Sequence, residues 1–242
     1  MRRLPQSIRK RWQRLGLFLR GITPGNLDDA TLLGLGLPRR ATILEIGCND
    51  GYHTRMFLRL FPEARVFCFE PDARARRRFE EKTRDPRVRL FPFAIGAHNG
   101  VATFHASGGN PLGDQPHPDL PSDWDLSGSL RRPTGHLQAN PGVHFQEVVQ
   151  VEVRTLDRWA EEEKVGDIDL IWADVQGAEM DLIQGAPQAL RRTRFLYTEY
   201  NDHELYEGQP TLKKISAALP DFRIRIRYPD DVLLENLRWA QG

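Results

Sequence analysis

The 242-residue sequence is short of cysteine, has no excess of either charge and contains no long apolar run, and each shortage removes a class of protein. Its two cysteines, Cys48 and Cys68, both lie in apolar stretches. They leave no room for a disulfide framework or a CxxC metal knuckle, and set the expectation of a reducing, cytoplasmic compartment. Lys and Arg number 34 against 33 Asp and Glu, so the basic surplus that a nucleic-acid partner demands is missing. No segment approaches the roughly eighteen uninterrupted apolar residues of a membrane span, and the N-terminus lacks the apolar core of a signal peptide. No internal repeat occurs. What remains is a chain long enough to bury one sizeable core, and a single domain is expected.

The first twenty residues carry Arg2, Arg3, Arg9, Lys10, Arg11, Arg14 and Arg20, interleaved with Leu4, Ile8, Trp12, Leu15, Leu17 and Leu19. This is the pattern of a basic amphipathic helix, which either rests peripherally on an anionic surface such as the inner membrane face or packs its apolar side on the domain. Pro24 and the glycines at 21 and 25 end the pattern, so a leader is expected over 1–25 and the main domain over 26–242.

Beyond the leader, apolar runs of strand length alternate with helical patterns. This predicts an α/β, doubly wound, Rossmann-like sheet of about seven strands covered on both faces. Strands are expected at 41–47, 66–70, 88–95, 148–153, 168–174, 195–199, 222–227 and 232–236, and residues 101–104 are expected to return as a hairpin after the turn at His98, Asn99 and Gly100. Helices are expected at 52–61, 72–82, 155–163, 178–190 and 211–219. Between 105 and 147 periodicity disappears and Gly, Pro, Ser, His and Asn dominate. An irregular segment of that length is read as a lid, with an ordinary flexible insertion as the alternative.

Glu45-Ile46-Gly47-Cys48-Asn49-Asp50-Gly51 stands where the first strand gives way to a helix, the place of the ligand crevice in an open α/β sheet. Gly47 and Gly51 allow a tight turn, and the helix behind them offers free N–H groups. Glu70, with Pro71 beside it, closes the second strand about twenty residues on, where a carboxylate can accept both hydroxyls of a ribose. A dinucleotide fingerprint needs further glycines, but Asn49 and Tyr52 occupy those positions. Asp50 would repel a diphosphate, whereas Glu45 and Asp50 suit a ligand carrying an ammonium and a sulfonium.

A second constellation, Asp174-Val175-Gln176-Gly177-Ala178-Glu179, also joins a strand end to a helix. Asp174 there can hold a donor's amino group, orient an acceptor hydroxyl or take its proton; Glu179 suits the first helical turn on dipole grounds alone. A third group, Glu199, Tyr200, Asn201, Asp202, His203, Tyr206 and Glu207, follows the next strand. His203 is the candidate base, with Glu199 beside it and Asn201 and Tyr206 as candidate acceptor contacts. Asp174, Glu199 and Asn201 could instead converge on a divalent metal, an alternative to a metal-free site.

Seven segments then stand in order: EIGCNDGYHT at 45–54, FEPD at 69–72, AIG at 94–96, SGSL at 127–130, VRTLDRW at 153–159, ADVQGAE at 173–179 and EYNDHELYEGQP at 199–210. Through them the sequence resembles the FkbM-type methyltransferases over 42–222. The resemblance implies a seven-stranded methyltransferase fold, S-adenosylmethionine as cofactor, and methyl transfer to an oxygen, often a hydroxyl of a sugar, glycan or polyketide-like metabolite. Carried over by position, Gly47, Asn49 and Gly51 would line the methionine and ribose portion, Glu70 would grip the ribose, Ala94 would flank the adenine, and Asp174 would face the reacting centre. Glu45 and Cys48 depart mildly from the family's usual Asp and its Ala or Gly.

The cofactor set expected is therefore Glu45, Gly47, Cys48, Asn49, Asp50, Gly51, Glu70, Pro71, Ala94 and Asp174, with Asp174, His203 and Glu199 catalytic. Ser129, His136 and His144 are expected to reach a small-molecule or glycan acceptor from the lid. Two rivals stand beside this reading: a nicotinamide-dependent nucleotide-sugar oxidoreductase or epimerase on the same sheet, and a non-catalytic module that binds S-adenosylmethionine without turnover.

Overall fold

The computed structural model describes residues 21–110 and 123–239; positions 1–20 of the expected leader and 111–122 of the expected lid lie outside the described residues. A short helix, Asp29–Gly34 (α1), precedes the strand Thr42–Ile46 (β1), the helix Tyr52–Leu60 (α2), the strand Arg65–Phe69 (β2) and the helix Ala73–Lys82 (α3). The strands Val88–Phe91 (β3), Ala94–Ile95 (β4) and Gly100–Gly109 (β5) follow, then the helical turn His136–Ala139 (α4), the long strand Val143–Arg154 (β6) and the helix Leu156–Glu162 (α5). The chain continues through Ile168–Ala173 (β7), Glu179–Gln184 (α6), Pro187–Arg191 (α7), Thr193–Glu199 (β8), Leu212–Ala218 (α8), Phe222–Arg227 (β9) and Asp231–Asn236 (β10).

Seven strands form one sheet in the order β3-β2-β1-β7-β8-β10-β9. The first five are mutually parallel, and β10 runs antiparallel to both of its neighbours. Every residue of β1 and β7 is buried, as strands covered on both faces must be. Alternate side chains serve opposite layers: Leu44, Ile46, Ile171 and Ala173 join the core under α5 to α8, whereas Ile43, Leu170 and Trp172 join the core under α1 to α3. Winding outward from β1 to β3 and then back to β7 opens a crevice at the carboxyl ends of β1 and β7, where the order of connection reverses.

The ends of β2 and β3 are anchored by an aromatic cluster. Trp159 of α5, fully buried, meets Phe67, Phe69 and Phe91 edge-on at centroid separations of 5.2, 4.8 and 5.4 Å. Each such pair adds roughly 0.5–1.5 kcal/mol beyond burial. The cluster therefore fixes the point from which Glu70 leaves the sheet.

Four expectations change. The strand expected over 88–95 is two strands, because Pro92 cannot donate to a ladder and the chain passes from β3 of the large sheet to β4 of a second one. The return expected at 101–104 is the ten-residue β5, which pairs with β6 rather than with the strand before it. The three-stranded sheet β4-β6-β5 has its own small core of Ala94, Phe104, Ala106, Val151 and Val153, so the strand expected at 148–153 does not enter the large sheet. Finally, the helix expected at 178–190 is broken into α6 and α7. Pro187 opens the second piece, and a Cβ on Gly185 would lie 2.0 Å from the Gly96 carbonyl oxygen. Among the described residues no helix is long and apolar enough to cross a membrane.

Candidate functional site

At the carboxyl end of β1 the chain turns through Gly47 in a left-handed conformation (φ 83°). A Cβ there would stand 1.9 Å from the carbonyl oxygen of Asp174, so glycine is demanded by the meeting of the β1 and β7 ends. The Gly47 and Cys48 N–H groups donate to the Phe69 carbonyl at 2.9 and 3.1 Å, which binds the turn to the end of β2. Asn49 is also left-handed (φ 44°), and its N–H donates to Glu70 Oε2 at 2.9 Å. The Asp72 N–H donates to Glu70 Oε1 at 2.8 Å. Each carboxylate oxygen of Glu70 thus holds one backbone donor and keeps acceptor capacity for another. Burial pushes the Glu70 carboxyl up to about 7 against these hydrogen bonds.

A cavity opens beside these groups. Gly47, Asn49, Glu70, Pro71, Ala94, Ser129 and Asp174 of the expected site all line it, joined by Phe104, Leu126 and Leu130 as an apolar wall and by Asp125. Residues 125–130 cross the cavity as a strap. The strap is tied to α3 by an ion pair between Arg78 and the buried Asp125, and by Arg74 to Asp123 at 3.0 Å. Asn49 Nδ2 donates to the Asp125 carbonyl at 3.2 Å and to its Oδ1 at 3.3 Å, which joins the strap to the first turn.

Across the cavity, Asp174 Oδ1 accepts from Gln176 Nε2 at 2.6 Å. The same nitrogen donates to Glu199 Oε2 at 3.1 Å, and the Gln176 carboxamide oxygen accepts from the Tyr206 hydroxyl at 3.0 Å. Burial raises the carboxyls of both Asp174 and Glu199, and for Glu199 the charges of Asp174 and Glu179 add to it. Glu179 itself is pushed up to about 7 by burial; its Oε1 accepts from the Gly177 N–H at 3.1 Å and its Oε2 has no hydrogen-bond partner among the described residues.

Several expected residues stand away from the cavity wall. Glu45 points to the α2 side of β1, where Thr54 Oγ1 donates to it and burial pushes its carboxyl up to about 8. Cys48 is buried in the core under α1 to α3, and burial raises its thiol. Asp50 turns toward α3, its Oδ2 accepting from Lys82 Nζ at 2.6 Å. Gly51 (φ 79°) packs beneath the Phe79 ring, which a Cβ would meet at 2.8 Å. These four build the turn rather than face the cavity.

In the third group, His203 is exposed and its N–H donates to Asn201 Oδ1 at 2.9 Å, which closes a local turn. Neither residue lines the cavity. Tyr206 is buried, its hydroxyl reaching the Ser127 carbonyl at 2.9 Å as well as Gln176, and burial raises its phenol. His136 is buried behind the strap with Nε2 3.1 Å from Ser127 Oγ, and burial lowers its imidazole; His144 is exposed. Among the described residues no three His, Cys, Asp or Glu side chains are grouped to hold a metal ion.

Among the described residues, Asp125 and Gln176 are the two polar side chains of the cavity to which the sequence assigns no role. Gln176 lay inside a quoted motif, between Asp174 and Gly177. Asp125 lay in the segment without periodicity, and its pairing with Arg78, 47 positions away, has no local signal.

Comparison with known proteins adds four findings. A family model described as the methyltransferase FkbM domain matches residues 45–226. A protein of Sinorhizobium fredii named 2-O-methyltransferase NoeI is 48% identical over 201 residues, covering 81% of this chain and 79% of its own length. The Pseudomonas aeruginosa AMB antimetabolite synthetase AmbE is 28% identical over 221 residues, which are 84% of this chain and 10% of that protein. Among solved structures, a methyltransferase FkbM from Methylobacillus flagellatus is similar at a TM-score of 0.48 and 14% identity; the match covers 81% of this chain and spans 44% of that one.

Proposed function

The chain belongs to the FkbM methyltransferase family, and from that premise we propose that it transfers the methyl group of S-adenosylmethionine to a hydroxyl oxygen of a sugar, glycan or polyketide-like metabolite. The observation that carries the cofactor is the make-up of the cavity: among the described residues Glu70, Asp125 and Asp174 line it, and no Lys, Arg or His does. Such walls favour a cationic sulfonium and disfavour the pyrophosphate of a nicotinamide dinucleotide.

The residues present fit the donor. Glu70, with one backbone N–H on each oxygen, would accept the two ribose hydroxyls. Ala94, Phe104, Leu126 and Leu130 offer an apolar slot for a flat base. The bound donor supplies a methyl group on sulfur, so that an O–C bond forms, the S–C bond breaks with its electron pair left on sulfur, and the hydroxyl proton is released. Asp174, facing the cavity, would receive that proton and orient the hydroxyl in line with the methyl carbon. The name of the Sinorhizobium relative, a 2-O-methyltransferase, supports an oxygen as the acceptor atom.

Calorimetry with S-adenosylhomocysteine and with NAD tests the cofactor. Binding of the first and not the second supports the reading; the opposite pattern replaces it with the nicotinamide enzyme. Tight S-adenosylhomocysteine binding with no methylated product from a pool of glycosylated metabolites would leave a binding module.

A further inference from the structure

Gln176 is held at four points. Its backbone is left-handed (φ 50°), a conformation costly for any residue but glycine, and its carbonyl accepts from Ser129 Oγ at 2.7 Å. Behind it, Gly177 presses so closely on Tyr206 that a Cβ would lie 2.7 Å from the Tyr206 Cβ. The orientation of the carboxamide follows from its partners. The nitrogen faces Asp174 Oδ1 and Glu199 Oε2, each of which accepts from it, and the oxygen faces the Tyr206 hydroxyl. A flipped amide would set its oxygen against two carboxylates.

We propose that Gln176 is the positioning residue for methyl transfer, acting through Asp174: gripped by Tyr206, its amide fixes the Asp174 carboxylate against the cavity and ties it to Glu199. The inference rests on the methyl-transfer reading above. Asp174 and Glu199 repel when both are charged, and the shared amide N–H groups between them offset that repulsion. One Asp174 oxygen is occupied by Gln176, so the other takes the acceptor's proton as the O–H bond breaks and the O–C bond forms. The carboxylate then presents one geometry to the hydroxyl instead of several.

The test uses the full chain with the variants Gln176→Leu, Tyr206→Phe, Asp174→Asn and the double variant Gln176→Leu with Asp174→Asn. In the free chain, the Gln176 side-chain amide protons are expected to exchange slowly by NMR, and to lose that protection in Tyr206→Phe and Asp174→Asn. Methyl incorporation from labelled S-adenosylmethionine into a mixed panel of methyl glycosides should fall about 10- to 100-fold in Gln176→Leu. Its affinity for S-adenosylhomocysteine should stay within about threefold. The double variant should be no slower than Asp174→Asn alone, because a residue acting through another adds nothing once that other is gone. Additive losses, or rapidly exchanging amide protons in the unmodified chain, overturn the proposal. Should Gln176→Leu fail to fold, Tyr206→Phe carries the same comparison with a smaller expected loss. A chain that methylates nothing would overturn the methyl-transfer reading, while the exchange measurement still decides whether Gln176 is clamped.

Discussion

Replacing Glu70 by Ala removes a side chain whose two oxygens each hold a backbone donor, from Asn49 at 2.9 Å and from Asp72 at 2.8 Å. The expected consequence for the cofactor is loss of the hydrogen bonds to the ribose hydroxyls, about 1–3 kcal/mol. At 1.4 kcal/mol per tenfold, S-adenosylhomocysteine affinity should fall roughly 5- to 150-fold. Stability should change less than two lost hydrogen bonds suggest, because burial already works against the ionised carboxyl by raising it to about 7. Glu70→Gln sharpens the test: its amide nitrogen must face either the Asn49 or the Asp72 N–H, donor against donor, so it recovers only part of the loss. Isothermal calorimetry measures the affinities, and circular dichroism establishes that each variant is folded. An unchanged affinity in folded Glu70→Ala would remove Glu70 from the cofactor site and refute the reasoning.

Asp174→Asn should lower turnover by about 10²- to 10⁴-fold while S-adenosylhomocysteine still binds, whereas His203→Ala, exposed and off the cavity wall, should cost far less; the reverse result in a stopped-time methylation assay would hand the base to His203. Gly47→Ala places a methyl group 1.9 Å from the Asp174 carbonyl oxygen in a left-handed backbone, and should destabilise the chain by roughly 3 kcal/mol or more in urea titration. Stability within about 1 kcal/mol of the parent would contradict the packing described. Burial raises Glu45 to about 8 and Glu70 and Glu179 to about 7 from an ordinary value of 4.5. Their folded forms hold protons that the unfolded chain has already released, so this stabilisation is full below 4.5 and is lost as pH rises through 7 to 8. The melting temperature of the free chain should therefore fall across that window, and a rise would show that these carboxyls are not buried as neutral acids.

The strands that carry the site were legible because their burial is local: β1 and β7 are mostly apolar runs, interrupted by Thr42, Glu45 and Asp169, and the rule that ligands lie beyond strand ends brought Gly47, Asn49, Glu70 and Asp174 together from the sequence. The period of a strand also explains the misplacement of Glu45, which shares the α2 side of β1 with Ile43 and so turns away from the cavity. What was not legible depends on distant partners. The passage of the chain at Pro92 into a second sheet is decided by the pairing of Ala94 with Val153. The function of the strap depends on Arg78 reaching Asp125 from α3. Gln176 sat inside a recognised motif, yet its meaning comes from Glu199 and Tyr206, which only the fold brings to it.

On the function proposed above, the cavity at the β1 and β7 ends, lined by Glu70, Asp125 and Asp174, holds a methyl donor and delivers its methyl group to oxygen. The most direct measurement supplies S-adenosylmethionine carrying a carbon-13 methyl group, together with a pool of glycosylated metabolites, and follows the label by NMR. The expected outcome is a new methoxy resonance on a carbon-bound oxygen, weakened roughly 5- to 150-fold with Glu70→Ala at limiting cofactor. Label appearing in an N-methyl or C-methyl group, or remaining wholly on the donor while S-adenosylhomocysteine binds tightly, would contradict it.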